Sequence, residues 1–209
     1  MTIEAVVALK TLSQSKRRLS AVLNDEQRSD LVEAMAQDVL SCLMRHPEIE
    51  AVHVVCGEGW TRDVLPEGPL VVWQEAESHD HGLIAAHEMV AARTGAERLL
   101  FIHADLPFLG QEDISAVIAA SLDHHAVFSP DFTETGTNAV LRWRHQSLPR
   151  FRSGPAALDC LLQSVFGDFV LLMTFHGEHH LEPVGPALAP QNIGNIRGTV
   201  SPNGSQRSA

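Results

Sequence analysis

No stretch of this 209-residue chain approaches the roughly 20 consecutive apolar residues that a membrane-spanning helix needs. The N-terminus has no basic segment followed by a long apolar run, so no secretory signal is expected and the chain reads as cytoplasmic. Cysteine is scarce: Cys42, Cys56 and Cys160 lie far apart with no CxxC pair. That excludes a disulfide framework, and inert thiols in a reducing compartment are expected instead. Also missing are the P-loop glycine pattern, GxGxxG and HExxH, so two common phosphate cradles and the helical zinc-peptidase motif are excluded. Basic residues number 15 against 26 acidic ones, a formal charge of −11. A balance of that sign argues against nucleic acid or an anionic membrane as partner, since both require a concentrated basic face.

What is present is near-average hydrophobicity with mixed charge, the composition of a soluble globular protein with one core. The expected strands are Ile3 to Leu9, Ala51 to Cys56, Leu70 to Trp73, Leu99 to Ala104, Ala126 to Ser129, Gly136 to Trp143 and Phe169 to Thr174. Between them, helices are expected from Asn24, from Gly82 to Arg93, from Gln111 to Leu122 and from Ala156 to Val165. Asn24 with Gln27 forms a capping-box pattern, and Leu31, Met35, Val39 and Leu43 make one stripe before Pro47 stops the helix. Strands alternating with helices predict an α/β fold: a mostly parallel mixed sheet covered by helices on both faces. The strand after Gly136 comes soon after its predecessor, which predicts a local antiparallel excursion. A single domain over residues 1–182 is expected, then an irregular, partly disordered tail over 183–209 rich in Pro, Gly, Asn and Ser.

Chemistry in an open α/β sheet gathers beyond the carboxyl ends of the strands. The first strand runs into a loop carrying Lys10, Lys16, Arg17 and Arg18. In an acidic protein such a local basic loop points to a confined anion, with lysine as a point charge and arginine gripping oxygens in pairs. The same residues also fit a solvated basic turn. Asp105 follows the apolar strand Leu99 to Ala104, and Pro107 stops that strand from continuing. A hard carboxylate there suits Mg²⁺, which takes one or two carboxylates plus substrate phosphates; a turn or cap aspartate is the alternative. Gly136 between Thr135 and Thr137 permits close approach to backbone, and Arg150 and Arg152 flank a small-residue turn that suits an anion. The 12 histidines include three local clusters, but Gly177 between His176 and His180 speaks against a helical zinc pair.

Together these blocks resemble the 2-phospho-L-lactate guanylyltransferase family (the CofC/FbiD type), which serves biosynthesis of the deazaflavin coenzyme F-420. Val7-Ala8-Leu9-Lys10 with Ser15-Lys16-Arg17-Arg18-Leu19 is similar to the family's strand–lysine loop. Asp105-Leu106-Pro107 is similar to its metal-binding DLP, and Thr135-Gly136-Thr137-Asn138 to its acceptor-binding GTGTN. Pro149-Arg150-Phe151 is similar to the start of its PRFGPxS loop. Gly82-Leu83-Ile84 replaces the usual Gly-Leu-Asn, and Arg152-Ser153-Gly154-Pro155 departs from the usual substrate loop. The family's C-terminal DxDTPxDL has no counterpart; Glu178 and Glu182 are the residues offered in its place.

The resemblance implies a nucleotide-diphospho-sugar-transferase-like fold and transfer of GMP from GTP to a small phospho-acid, with release of pyrophosphate. Phosphoenolpyruvate, 2-phospho-L-lactate and 3-phospho-D-glycerate are the acceptors implied. Lys10, Lys16, Arg18 and Asp105 would be catalytic, and Leu9, Lys10, Lys16, Gly82, Leu83 and Asp105 would contact nucleotide. Thr137, Asn138, Arg152, Ser153 and Gly154 would hold the acceptor, and Asp105, Glu178 and Glu182 the Mg²⁺. The missing aspartates keep a second reading open: a relative that binds nucleotide or a partner protein without turnover. A homodimer also stays open, since the long amphipathic helices serve equally to cover the sheet.

Overall fold

The computed structural model describes residues 1–12, 15–68, 70–74, 82–130, 137–145 and 170–172. Within them the strands are, in chain order, Ile3–Leu9 (β1), Ile49–Cys56 (β2), Leu70–Gln74 (β3), Arg98–His103 (β4), Ala126–Pro130 (β5), Thr137–Trp143 (β6) and Val170–Leu172 (β7). The helices are Asp25–Arg45 (α1), Gly82–Ala91 (α2) and Gln111–Ala120 (α3). The described strands form one sheet in the order β3-β2-β1-β4-β6-β5-β7. β1 runs parallel to β2 and β4, β2 to β3, and β5 to β7. Only β6 among them reverses, antiparallel to both β4 and β5, where the short connection in sequence predicts it.

Side chains alternate across the sheet, so each buried strand supplies two cores. Ala5, Val7 and Leu9 with Val52, Val54, Leu100, Ile102 and Leu141 pack under α1 and α3, against Val39, Leu40, Leu43, Ile114 and Ile118. On the other face Val6, Val55, Leu99, Phe101, Phe128 and Val140 meet Ala86 and Val90 of α2. Burial on both faces is why these strands read as mostly apolar runs. Each such Leu, Ile or Val contributes roughly 1.5–3 kcal/mol by leaving water.

The capping box of α1 forms as expected: Gln27 N donates to Asn24 Oδ1 at 2.8 Å, and Asn24 N donates to Gln27 Oε1 at 3.1 Å. The stripe below it differs at one residue. Met35, Val39 and Leu43 are buried, but Leu31 is exposed and Val32 takes its place against the core. The buried stripe runs through 32, 36, 39 and 43, and Leu31 falls one residue, about 100°, off it. Helix ends differ too: α2 stops at Ala91 and α3 at Ala120, each two residues short of expectation. Leu122 lies exposed beyond the Ser121 cap, so it has no core to extend the helix toward. Cys42 and Cys56 are free and buried, and burial pushes the Cys56 thiol up to about 11. The helix expected at 156–165 and the tail at 183–209 lie outside the described residues, as does Cys160. No helix among the described residues is long and apolar enough to cross a membrane.

Candidate active site

β1 and β4 are parallel neighbours from which the chain departs in opposite directions, toward β2 and β3 on one side and β6 and β5 on the other. That is a topological switch point, where open α/β sheets place their ligands. Ala8 pairs with His103, so Lys10 and Asp105 leave the sheet side by side. β6 runs the other way, and its Ala139 pairs with Ile102. The first residues of β6, Thr137 and Asn138, therefore reach the same edge. One parallel pair and one reversed strand thus collect three stretches that are distant in sequence.

The loop after β1 is fixed at its root by the end of β2. Gly57 N donates to Leu9 O at 2.7 Å, Leu12 N donates to Glu58 O at 3.1 Å, and the buried Trp60 donates its Nε1–H to Lys10 O at 2.8 Å. Gly57 has to be glycine: a Cβ there would stand 2.7 Å from Thr11 N and 3.0 Å from Leu9 O, both backbone atoms. Gly57→Ala is expected to push the lysine loop off β2 and to cost roughly 1–3 kcal/mol as an overpacking change. Urea unfolding and Trp60 fluorescence would report it; an unshifted emission spectrum with unchanged stability would mean the loop tolerates the methyl group.

Farther along, Lys16 reaches back across the strand ends. Its Nζ donates to Asp105 Oδ2 at 2.7 Å, with the two side chains 33% and 49% exposed. Burial favours the neutral acid at Asp105, but the Lys16 hydrogen bond and charge, His103 and Asp105's own backbone N–H outweigh it. The carboxyl is held below its ordinary value and stays ionised. Burial first, and then the charges of Lys10 and Lys16, lower the pKa of His103, with Asp105 opposing. Both lysines and the carboxylate thus bear on the charge of His103.

An ionised hard-oxygen donor already paired with the Lys16 ammonium can hold a divalent cation only together with anionic ligand oxygens. Among the described residues no group of three or more His, Cys, Asp or Glu side chains converges into a cage. The donor among the described residues, a single carboxylate, fits Mg²⁺, which keeps waters and takes few protein carboxylates.

Of the residues singled out from sequence, Lys10, Lys16 and Asp105 are brought together, and Thr137 and Asn138 share their edge. Arg18 is exposed on the short turn Arg17–Leu19 and makes no contact with Asp105 among the described residues. Leu9 is buried and its carbonyl accepts from Gly57, so it supports the loop from below. Gly82 and Leu83 open α2. Arg152, Ser153, Gly154, Glu178 and Glu182 lie outside the described residues. Sequence reasoning passed over His103, Gly57 and Trp60. A polar residue closing an apolar strand two positions before a carboxylate was the available signal for His103; Trp60 carried none.

Residues 3–153 match the family described as guanylyl transferase CofC like. A phosphoenolpyruvate guanylyltransferase of Sphaerobacter thermophilus is 32% identical over 159 residues, covering 75% of this chain and 76% of that protein. One from Rubrobacter xylanophilus is 35% identical over 168 residues, covering 78% and 80%. Among solved structures, a chain from Desulfovibrio desulfuricans described as a nucleotide-diphospho-sugar transferase superposes with a TM-score of 0.66 at 16% identity, covering 83% of this chain and 80% of its own. CMP:2-keto-3-deoxy-manno-octonic acid synthetase superposes at 0.56 and 11% identity, covering 94% and 97%. These two share the fold, a nucleotide-diphospho-sugar-transferase-like mixed sheet with helices. The sequence matches are of another order, and by them the chain belongs to the family of CofC-like guanylyl transferases.

Proposed function

We propose that this protein transfers GMP from GTP to the phosphate of a small phosphorylated carboxylic acid, as a step in coenzyme F-420 biosynthesis, and that phosphoenolpyruvate is the acceptor. The observation that carries the reaction is the meeting of Lys10, Lys16 and the ionised Asp105 at the switch point between β1 and β4. The names of the relatives favour phosphoenolpyruvate over 2-phospho-L-lactate and 3-phospho-D-glycerate.

An oxygen of the acceptor phosphate attacks the α-phosphorus of GTP; the new P–O bond forms, the bond to the bridging α–β oxygen breaks, and pyrophosphate leaves with that electron pair. The attacking oxygen is already anionic, so no general base is needed. Catalysis is then alignment and charge neutralisation. Lys10 and Lys16 offset negative charge gathering on the departing pyrophosphate, and Arg18, exposed on the same loop, adds a further cation. Thr137 and Asn138 orient the acceptor from the start of β6, together with Arg152, Ser153 and Gly154. Asp105 would hold Mg²⁺, with Glu178 and Glu182 as the further carboxylates; when bound, the ion neutralises phosphate charge and polarises the phosphoryl group.

The test is pyrophosphate release from GTP and Mg²⁺ with the three phospho-acids in parallel. Release with phosphoenolpyruvate ahead of the others is the expected result. Release with a different acceptor would correct the substrate alone. Silence with all three from folded protein would sink the transferase reading and leave nucleotide binding without turnover.

A further inference from the structure

We propose that Lys16 is the resident counter-ion of Asp105, and that it exchanges this partner for the nucleotide's phosphates when the site fills. The inference rests on the guanylyltransferase reading above and adds an order to it: the carboxylate is neutralised in the ligand-free protein and released only when a polyphosphate offers Lys16 a stronger anion. A divalent cation alone must displace an ammonium; a cation arriving with a nucleotide need not, because the nucleotide draws the ammonium away.

Three independent observations point this way. The first is the contact itself, a charge-assisted hydrogen bond of 2.7 Å made by the only protein cation that touches Asp105 among the described residues. The second is the backbone that delivers it. Lys16 has φ 50° and ψ 34°, left-handed, and it is the only non-glycine residue with positive φ among the described residues. Such a conformation costs an L-residue free energy and persists where surrounding contacts hold it. The Asp105 contact supplies that hold, and exchanging it frees the loop to relax.

The third observation is mechanical. The loop root at Lys10 is pinned to β2 through Leu9, Leu12 and Trp60. Around Lys16, by contrast, the described hydrogen bonds other than the Asp105 contact stay within the loop: Ser15 N to Leu12 O, Ser15 Oγ to Thr11 O, and Leu19 N to Lys16 O. Among the described contacts, Asp105 is thus what ties Lys16 to the rest of the fold, whereas the root at Lys10 is tied to β2 and Trp60. Lys10 remains in place as a permanent cation, and Lys16 is the one that travels.

The experiment is Mn²⁺ titration of the ligand-free protein, monitored by electron paramagnetic resonance, with GTP affinity measured on the same samples. Lys16→Met is expected to bind Mn²⁺ alone on the order of tenfold more tightly than wild type, since a competing charge is gone. Its affinity for GTP should fall on the order of tenfold, because the phosphates lose that cation. Lys16→Arg, which keeps the charge, should bind Mn²⁺ as wild type does. A merely structural lysine would weaken both ligands on removal or leave both unchanged, and either result overturns partner exchange. If Asp105→Asn binds Mn²⁺ and releases pyrophosphate as wild type does, the metal assignment fails and the exchange falls with it. If Asp105 is required but Lys16→Met leaves Mn²⁺ affinity unaltered, only the exchange falls.

Discussion

Asp105→Asn is expected to lower kcat/KM for pyrophosphate release on the order of 10²- to 10³-fold, the usual loss when one positioned charge is removed from an active site. The substitution separates charge from shape. Asparagine keeps the volume of aspartate, and its Oδ1 can still accept the hydrogen bond that Lys16 Nζ gives Asp105 at 2.7 Å. The lysine loop should therefore stay where it is, and thermal unfolding should shift by no more than a few degrees. What is lost is the ionised carboxylate, which the protein maintains against burial by setting Lys16 and His103 beside it. An ionised carboxylate kept so against burial is what a charge-dependent role for Asp105 requires. Unchanged turnover in the variant, with the same acceptor preference, would remove Asp105 from the mechanism. A large fall in thermal stability would instead make it a structural anchor for the loop.

The site was partly legible before its geometry because its ingredients sit at strand ends. Ile3–Leu9 and Arg98–His103 are central strands buried on both faces, so each reads as an apolar run, and the residues just past its end must emerge at the sheet edge. Lys10 and Asp105 were found that way. The capping box at Asn24 was equally plain, because all its partners lie within four residues. Contacts closed over long separations were not legible. Lys16 meets Asp105 across 89 positions and Trp60 meets Lys10 across 50, and no local pattern encodes either. Leu31 fails for a different reason: a 3.6-residue period leaves one residue of freedom in placing a stripe, and the sheet beneath α1 decides it. The same limit hides the polar pair under α2. His87 reads as one more helix residue and Arg142 as one more strand residue; nothing in either segment announces that they meet.

That pair is expected to make the fold acid-sensitive well above the carboxylate range. His87 is fully buried, and Arg142, 3% exposed, donates its Nη2–H to His87 Nδ1 at 2.9 Å. A guanidinium has no acceptor, so this contact requires an unprotonated Nδ1. Burial, and after it the charge of Arg142, depresses the His87 pKa from 6.5 to about 3. Burial also lowers Arg142, to about 10, with Glu88 opposing, so the guanidinium stays charged at neutral pH. In the unfolded chain the imidazole takes up its proton near pH 6.5, whereas in the fold it stays neutral down to about pH 3. Between those values the unfolded state binds more protons. The stability that His87 contributes is thus complete above pH 6.5 and is lost as pH falls toward 3, at about 1.4 kcal/mol per pH unit. From pH 7 to pH 5 that amounts to about 2 kcal/mol, a large share of a domain's marginal stability. His87→Gln keeps an oxygen acceptor for Arg142 and cannot titrate. Urea unfolding at pH 7, 6 and 5 should show a steeper loss for wild type than for the variant. Parallel pH dependence in the two proteins would mean that His87 protonates in the fold as freely as outside it, and that the Arg142 contact does not govern its charge.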